Sequence, residues 1–239
     1  MESKCIISRR TKVILIENRS FVFVESNIGE MGLRKEKAAR LKLAILDSTL
    51  KLVGKKSFDD LLVDEICAKV KISKVTLFKY FPQKEDILLY YFRLWCLKRA
   101  VELNDKPKEG LAGITFLFDK LSEDAELHPG VILSLFAYLA DIRRTLRPFP
   151  VKVEEKKLLF PELENIGAIE IQSVDQMLEK FSLEAIFKKE ITKTSSTRDI
   201  TQVLISVFYG SVLTAHINQL STLKNFFRKN IELIMKGLQ

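Results

Sequence analysis

The stretch LVDEICAKVKISKVTLFKYFPQKE, residues 62–85, contains two short helical patterns separated by a tight turn. Apolar residues at helical spacing predict a helix over 62–70, and Ser73 is a suitable N-cap for a further helix over 74–81. Pro82 ends that second helix, because proline lacks the N–H group that would continue it. Two short helices joined by a tight turn, the second of them capped, predict a helix-turn-helix motif.

Helical patterns also flank this motif. Upstream, apolar residues recur every three or four positions from Ala38 to Val53, with lysine and aspartate on the other face, before a break at 54–57. Downstream, a helix is expected from Lys84 to about Leu103, with acidic side chains in its first turn, where the helix dipole favours negative charge. The sequence therefore predicts three helices followed by a long fourth one.

The third of these helices has two different faces. Leu77 and Phe81 lie one turn apart and are expected to pack against apolar residues of the second helix, such as Ile66. The opposite face would then point to solvent, free to enter the major groove of a DNA duplex. The residues on that outward face are Lys74, Val75, Phe78 and Lys79.

The net charge of +8 is concentrated in the same region. Residues 34–84 hold 13 Lys or Arg against 6 Asp or Glu, whereas residues 85–239 hold 21 of each. A compact basic segment joined to a neutral body is typical of a nucleic-acid-binding protein with a separate second function. A solvated basic face is the simpler explanation, and charge alone favours neither.

The ungapped run over 45–88 resembles the DNA-binding domain of the tetracycline-repressor (TetR) family of regulators. The resemblance implies an all-α fold, with an N-terminal three-helix helix-turn-helix domain that binds DNA and a C-terminal helical domain for dimerisation and ligand binding. The most specific part of the resemblance is the ordered set Ser73, Thr76, Leu77, Tyr80, Phe81, Lys84 and Glu85.

The resemblance also implies roles for individual residues. Three of them, Lys74, Val75 and Lys79, match positions that contact base edges, and a further three, Thr76, Tyr80 and Lys84, match positions that contact phosphates. Basic residues before and within the first helix would add electrostatic attraction; these are Arg34, Lys35, Lys37, Arg40 and Lys42. The expected DNA-binding residues are thus Lys74, Val75, Thr76, Phe78, Lys79, Tyr80, Lys84 and Arg40.

Four features depart from the family pattern, and one of them is Val75, at a position where a small residue or proline is frequent. Lys71 stands at a turn position that usually holds glycine, and a positive φ there would cost a lysine about 1–2 kcal/mol. Phe78 replaces a common tyrosine and so lacks a hydroxyl that could bond a phosphate. Leu61 and Leu62 replace the usual Thr or Ser that caps the second helix. These differences concern the operator sequence and the affinity rather than the fold.

The chain is expected to have three parts: an N-terminal extension over 1–33, the DNA-binding domain over 34–84 and a regulatory domain over 85–239. Two β-prone runs within 1–30 suggest either an extra hairpin or, as we favour, a loosely ordered extension. All six prolines lie from Pro82 to Pro161 and divide the middle of the chain into shorter helices. The helices expected in the regulatory domain are 109–125, 129–147, 161–192, 197–220 and 222–237.

The resemblance implies that the C-terminal helices form a homodimer and often a small-molecule pocket. Small residues spaced by four in one of the last two helices, and an apolar stripe in the other, fit either core packing or a dimer seam. The expected dimer residues are Val203, Ser206, Gly210, Thr214, Phe227 and Ile231. Aromatic residues of the middle helices are either core or ligand wall; they are Phe92, Trp95, Phe116, Phe136 and Tyr138. Few charged clusters are evident, which favours a small apolar ligand.

Composition disfavours several other classes of protein. Nine glycines and six prolines are too few for turn-dense sandwiches or glycine-rich phosphate loops. Two histidines, and cysteines placed far apart at Cys5, Cys67 and Cys96, argue against a metal cluster or a disulfide scaffold and favour a reducing compartment. No catalytic arrangement can be recognised. We therefore expect no enzyme, no cofactor and a cytoplasmic protein.

The segment from Ile200 to Leu223 has no charged residue and is long enough to cross a bilayer. Its many polar side chains favour a buried helix of a protein that does not enter the membrane.

Two functional hypotheses follow. The first is a homodimeric transcription regulator, usually a repressor, that binds a palindromic operator in double-stranded DNA and is released by a small molecule. The alternative is a helical protein-interaction module whose basic head binds nucleic acid weakly and without sequence preference.

Overall fold

The computed structural model describes residues 32–54, 57–143, 149–192, 196–220 and 222–238. All regular secondary structure in these ranges is helical, so the predicted all-α fold is confirmed. The predicted extension over 1–33, with its β-prone runs, lies almost wholly outside the described residues. The helices are α1 Leu33–Val53, α2 Val63–Val70, α3 Lys74–Tyr80, α4 Asp86–Asp105, α5 Gly110–Leu127, α6 Pro129–Ala140, α7 Val153–Leu159, a 3-10 helix Ile166–Ala168, α8 Val174–Phe187, α9 Thr197–Ile217 and α10 Leu223–Leu238.

The predicted helices of the middle of the chain are partly wrong. α6 ends at Ala140, where the Asp141 carboxylate accepts the backbone N–H of Arg143 at 3.1 Å and turns the chain. The single helix expected over 161–192 is instead a short 3-10 helix, an extended stretch and α8. α8 begins with a reciprocal cap. The Gln176 N–H donates to Ser173 Oγ at 3.2 Å, and the Ser173 N–H donates to the Gln176 side chain at 2.8 Å.

The body of the protein is a bundle in which α5, α8, α9 and α10 pack on one another. Phe118 of α5 makes edge contacts with Phe208 of α9 and Phe227 of α10, with ring centroids 5.3 and 5.0 Å apart. α5 and α8 approach closely because Gly113 has no side chain. A Cβ built there would lie 2.4 Å from the Phe181 ring. Aromatic edge contacts and one close crossing therefore set the core of the bundle.

Two residues expected at a dimer interface belong to this core. Phe227 is fully buried and Ile231 is 7% exposed within the chain, so neither is available to a partner. The sequence identified the apolar stripe of α10 correctly. The stripe packs against α5 and α9 of the same chain, however, and not against a second copy as expected. The other four expected residues, Val203, Ser206, Gly210 and Thr214, are exposed on α9.

α9 is the one helix of the described ranges that is long and apolar enough to span a membrane by length and composition, and 39% of its most apolar window is buried. It packs against α8 and α10, and its exposed side includes Gln202, Ser206 and His216. A lipid-facing helix would carry apolar side chains at such positions. These contacts support the interpretation of α9 as a helix of the bundle, although its exposed side also carries Val203, Leu213 and Ile217.

A buried ion pair joins the N-terminal helices to the body. The Lys42 ammonium of α1 pairs with the Glu155 carboxylate of α7 and donates to the Pro150 carbonyl at 3.3 Å. The same ammonium lies 4.3 Å from the ring centroid of Tyr90 and 5.0 Å from that of Phe149. Burial lowers the pKa of Lys42, and the hydrogen bond that its ammonium donates to the Glu155 carboxylate opposes that shift.

The aromatic rings around this ion pair reach the end of the helix-turn-helix motif. Phe81, directly after α3, stacks on Phe149 with centroids 5.3 Å apart and lies 5.5 Å from Tyr90 of α4. Burial and the Glu155 carboxylate raise the pKa of the Tyr90 hydroxyl, which therefore stays protonated. The N-terminal helices are thus fixed to α4 and α7 by one cluster of charge and aromatic rings.

Candidate nucleic-acid interface

The turn between α2 and α3 has the geometry of a helix-turn-helix. Lys71 ends α2 in the left-handed conformation, with φ 61° and ψ 49°, and the Ile72 N–H donates to the Cys67 carbonyl at 3.0 Å. Ser73 caps α3 as expected, since its Oγ accepts the Thr76 N–H at 3.2 Å. Lys71 therefore occupies the conformation in which glycine would be unstrained.

α2 begins without a side-chain hydroxyl at its N-cap. The N-cap residue is Leu62, and its backbone N–H donates instead to the Glu65 carboxylate at 2.8 Å. This is one half of a capping box, with the acidic residue three positions on compensating for the missing Ser or Thr.

The inward face of α3 is as the sequence predicts. Leu77 and Phe81 are both fully buried, as is Ile66 of α2, so the apolar side of α3 is anchored against the second helix and the core. The hydrophobic effect thereby fixes the rotation of α3 about its axis, because turning the helix would expose both side chains.

The outward face of α3 is solvent-accessible. Lys74, Val75, Phe78 and Lys79 are all exposed, Val75 to 81% and Phe78 to 41%. Lys74 is 2.9 Å from an Asp64 carboxylate oxygen of α2, an exposed ion pair of small energy. The exposed positions fit the predicted contacts with bases, which remain predictions.

Thr76 and Tyr80 are half-buried at the margins of this face. The Thr76 hydroxyl lies 2.9 Å from Ser73 Oγ and shares a hydrogen bond with it at the start of α3. Their contacts with phosphates remain predictions. The position of Thr76 also stabilises the first turn of the helix.

Lys84 lies directly before α4, as expected, and its ammonium is engaged within the chain. Its ammonium donates to three backbone carbonyls of the segment between α1 and α2, those of Phe58, Asp59 and Leu61, at 3.2, 3.0 and 3.1 Å. An ammonium has three N–H donors, so all are used within the chain. In this arrangement Lys84 tethers that segment, and its contact with a phosphate stays a prediction. Sequence alone shows a lysine at a helix start and cannot show the carbonyls that surround it.

The five basic residues of α1 that were expected to attract DNA differ in exposure. Lys42 is buried against Glu155, so the expectation that it assists DNA binding is wrong. Arg40 is half-buried and pairs with Glu36 one turn earlier, its Nε 2.8 Å from the carboxylate, which occupies part of its hydrogen-bonding capacity. The remaining three, Arg34, Lys35 and Lys37, are exposed.

The five aromatic residues expected to line a ligand pocket do not share one. Trp95 is buried, its Nε1 donates to the Asp124 carboxylate at 2.7 Å, and its ring stacks with that of Phe92 at 6.1 Å between centroids. Phe136 packs on Tyr209 at 5.0 Å. Trp95 is therefore a core residue, whereas Phe92 and Phe136 are half-buried rings that pack on other aromatic rings. Tyr138 is buried as well, and only Phe116 borders a shallow surface depression.

A different part of the body forms a cleft of about 740 Å³. It lies between the end of α4, the residues before α5, the irregular segment around the 3-10 helix and α8. Its apolar lining includes Leu103, Leu163, Ile166, Ile169 and Phe181, and its charged lining includes Lys108, Glu109, Glu162, Glu170 and Glu184. None of the five expected aromatic residues lines it.

Comparison with known proteins gives the same assignment as the geometry. Residues 45–91, which include α2, α3 and the start of α4, match the family model described as bacterial regulatory proteins, tetR family. The chain carries the DNA-binding domain of the TetR family of transcriptional regulators. The match begins at the same residue as the run that resembles this family in sequence.

Solved TetR-type structures are similar to the chain over most of its length. The transcriptional regulator FadR from Bacillus subtilis, in complex with stearoyl-CoA, has a TM-score of 0.56 and 18% identity, covering 82% of this chain and 99% of that one. A TetR transcriptional regulator from Rhodococcus sp. RHA1 has a TM-score of 0.53 and 12% identity, covering 86% and 100%. Reduced NemR from E. coli has a TM-score of 0.51 and 15% identity, covering 79% and 95%.

At these identities the likeness concerns the fold, which is that of a TetR regulator with an N-terminal DNA-binding domain and a helical C-terminal domain. No curated protein matches the chain significantly in sequence. The family domain and the exposed basic helix α3 establish the coarse function, that of a DNA-binding transcription regulator.

The position of Lys84 gives a first testable expectation. Lys84→Met keeps the apolar part of the side chain and removes the ammonium, so three carbonyls lose their donor. We expect the free energy of unfolding to fall by about 2–3 kcal/mol in urea denaturation. Lys69→Met, at an exposed lysine of α2, is the matched control and should change stability by less than about 0.5 kcal/mol. A Lys84→Met variant that is fully stable but has a salt dependence of DNA binding smaller by about one ion would contradict the tether and support the phosphate contact.

Proposed function

We propose that the protein is a homodimeric, ligand-responsive repressor that binds a palindromic operator in the cytoplasm. The observation that carries the DNA-binding part is the orientation of α3: Leu77 and Phe81 are buried behind it, and Lys74, Val75, Phe78 and Lys79 project from its other side. A short helix with a basic, exposed outer side fits the width of the major groove.

Lys79 is the best single residue for testing sequence-specific binding. It is exposed on α3 and, within the described part of the chain, forms no ion pair, whereas Lys74 is paired with Asp64. Its ammonium is therefore the one on this face that is free to reach an acceptor atom of a base or a phosphate.

In a gel-shift assay on DNA upstream of its own gene, the protein should bind one segment specifically, and Lys79→Glu should abolish that binding. A reversed charge in the groove would repel the phosphates and lose the base contact, a loss of at least about 100-fold in affinity. Lys98→Glu, at an exposed lysine of α4, introduces the same charge change away from α3 and should bind almost normally. Salt-sensitive binding to any duplex, equal in wild type and Lys79→Glu, would favour the alternative protein-interaction module.

A second copy of the chain is the partner that the exposed face of α9 fits. Val203, Ser206, Gly210, Leu213 and Ile217 are exposed at alternating steps of three and four residues. This spacing forms a straight seam along one side of a helix, which suits packing against another helix at a shallow angle. No charged side chain lies in α9 after Asp199, so the seam can be buried without leaving a charge unpaired.

Gly210 lies in the middle of this seam. A substitution there can test dimerisation without disturbing the fold. A Cβ placed on Gly210 would meet no atom of its own chain within 4 Å. Any steric effect of a side chain there must therefore come from a partner molecule. Because glycine has no side chain, two α9 helices could approach closely where they cross at Gly210.

We expect Gly210→Glu to fold normally but to be monomeric. The charge would be buried between two helices in the dimer and remain in water in the monomer. Sedimentation velocity should show a dimer for the wild type and a monomer for the variant, with equal helicity by circular dichroism. Ala112→Glu, at an exposed alanine of α5, provides the control and should remain a dimer. A dimeric Gly210→Glu protein would place the interface elsewhere.

A two-fold dimer implies a palindromic operator. Two α3 helices related by two-fold symmetry would read two half-sites about 34 Å apart, one turn of the duplex. Blocking a promoter by occupying such a site is the simplest action for a protein of this kind, which is why we propose repression.

We also propose that the cleft between α4, α8 and the segment 162–172 is the effector site. Its lining mixes apolar side chains with carboxylates and ammonium groups, which fits an amphipathic molecule better than the purely apolar ligand expected from the sequence. The similar fold of FadR, seen in complex with stearoyl-CoA, supports the capacity of this architecture for an amphipathic ligand.

The cleft is connected to the DNA-binding domain by consecutive residues of α7. The Lys156 ammonium donates to the carbonyl of Ile169, a residue of the cleft wall, at 2.6 Å. The preceding residue, Glu155, holds Lys42 of α1. A ligand that displaces the wall would pull on α7 and so on α1, changing the separation of the two α3 helices in the dimer.

The location of the effector site can be tested without knowing the effector. Nile red, an apolar dye that fluoresces when removed from water, should bind the wild type in the cleft, and Ala168→Trp should reduce its binding at least tenfold by filling that space. Phe116→Ala changes an aromatic residue outside the cleft and should leave dye binding within about twofold. The reverse pattern would return the site to the aromatic residues expected from the sequence.

A further inference from the structure

The centre of the outward face of α3 is apolar. Val75 is exposed to 81% and Phe78 to 41%, and they are three residues apart, so their side chains are neighbours on one side of the helix. Exposed β-branched and aromatic side chains lower helix propensity without a compensating contact. In the unbound protein Val75 gains almost no burial, and Phe78 leaves a large part of its ring in water.

The polar groups beside this pair are already used. The Thr76 hydroxyl bonds Ser73, and the Lys74 ammonium is 2.9 Å from Asp64. Val75 and Phe78 have no hydrogen-bonding atoms in their side chains. The centre of this face therefore offers apolar surface to base edges, with the ammonium groups of Lys74 and Lys79 beside it.

One base presents an apolar group in the major groove. Thymine carries a C5-methyl group, whereas guanine, adenine and cytosine present only hydrogen-bonding atoms. An apolar side chain opposite a polar edge would leave that edge without water or a partner, which is unfavourable. The chemistry of Val75 and Phe78 thus selects thymine methyls and disfavours the other edges.

We infer that Val75 and Phe78 are specificity-determining residues that recognise thymine C5-methyl groups in each operator half-site. The inference rests on the proposed operator binding and names its chemical basis. Lys79 lies one helical turn after Val75, about 6 Å away, and carries donors that suit the two acceptors of guanine.

The experiment begins with selection of the operator from random duplexes, using the full-length chain. Each thymine of one half-site is then replaced by uracil, which deletes the methyl group and keeps the base pair. Dissociation constants are measured by fluorescence anisotropy at constant salt. We expect about a fourfold weaker affinity for each contacted methyl, at one or two positions in the half-site.

Variants assign the methyl groups to the two side chains. In Val75→Ala or Phe78→Ala, the uracil penalty at one position should disappear, because the methyl no longer has a partner. Lys79→Ala is the matched control: it should weaken binding to every operator while the uracil penalties persist. Thermal unfolding midpoints close to that of the wild type would show that Val75→Ala and Phe78→Ala remain folded.

Two results would overturn the inference while leaving operator binding intact. One is a selected operator in which uracil replaces every thymine without loss of affinity. The other is a set of uracil penalties that are unchanged in both Val75→Ala and Phe78→Ala. Selection that enriches no sequence at all would instead refute the proposed operator binding, and with it the recognition of methyl groups.

Discussion

The arrangement of the whole molecule depends on the buried ammonium of Lys42. A charge removed from water is costly unless an opposite charge and acceptors surround it, and here Glu155, the Pro150 carbonyl and the faces of Tyr90 and Phe149 do so. These groups come from α4, α7 and the residues before α7, whereas the lysine comes from α1. The N-terminal helices can move relative to α7 only by separating this buried pair.

The same cluster explains how a small N-terminal domain is held at a defined angle. Phe81 follows α3 directly and stacks on Phe149, so the end of the helix that faces DNA touches the ring that also covers Lys42. Loss of one aromatic contact would therefore affect both the ion pair and the position of α3. A rigid connection of this kind would transmit a displacement of α7 to α1 and α3.

The sequence was sufficient for elements whose identity depends on local rules. The Ser73 cap, the burial of Leu77 and Phe81 and the exposure of Lys79 all follow from helical periodicity and short-range chemistry. The reciprocal cap of Ser173 and Gln176 is also a local feature, but it is missing from the sequence-based expectation of one helix over 161–192.

Other features depend on contacts between distant parts of the chain. Lys42 and Lys84 look like DNA-binding residues because lysine usually stays in water, and only the fold brings Glu155 to one and three carbonyls to the other. An apolar stripe such as that of Phe227 shows that a face is buried but not what buries it. The cleft was missed because its walls come from four separate segments of mixed composition.

The notch at Gly113 has a consequence for how the cleft can change shape. The Phe181 ring occupies the space that any other side chain at position 113 would need. This contact fixes the position of α8 along α5. Phe181 also borders the cleft, so the wall formed by α8 is the rigid one. The opposite wall is an irregular segment with many exposed residues between Glu162 and Glu170. It is attached to α7 by the hydrogen bond from Lys156 to the Ile169 carbonyl. A ligand too large for the cleft would therefore displace the irregular segment attached to α7, while α5 and α8 stay in place.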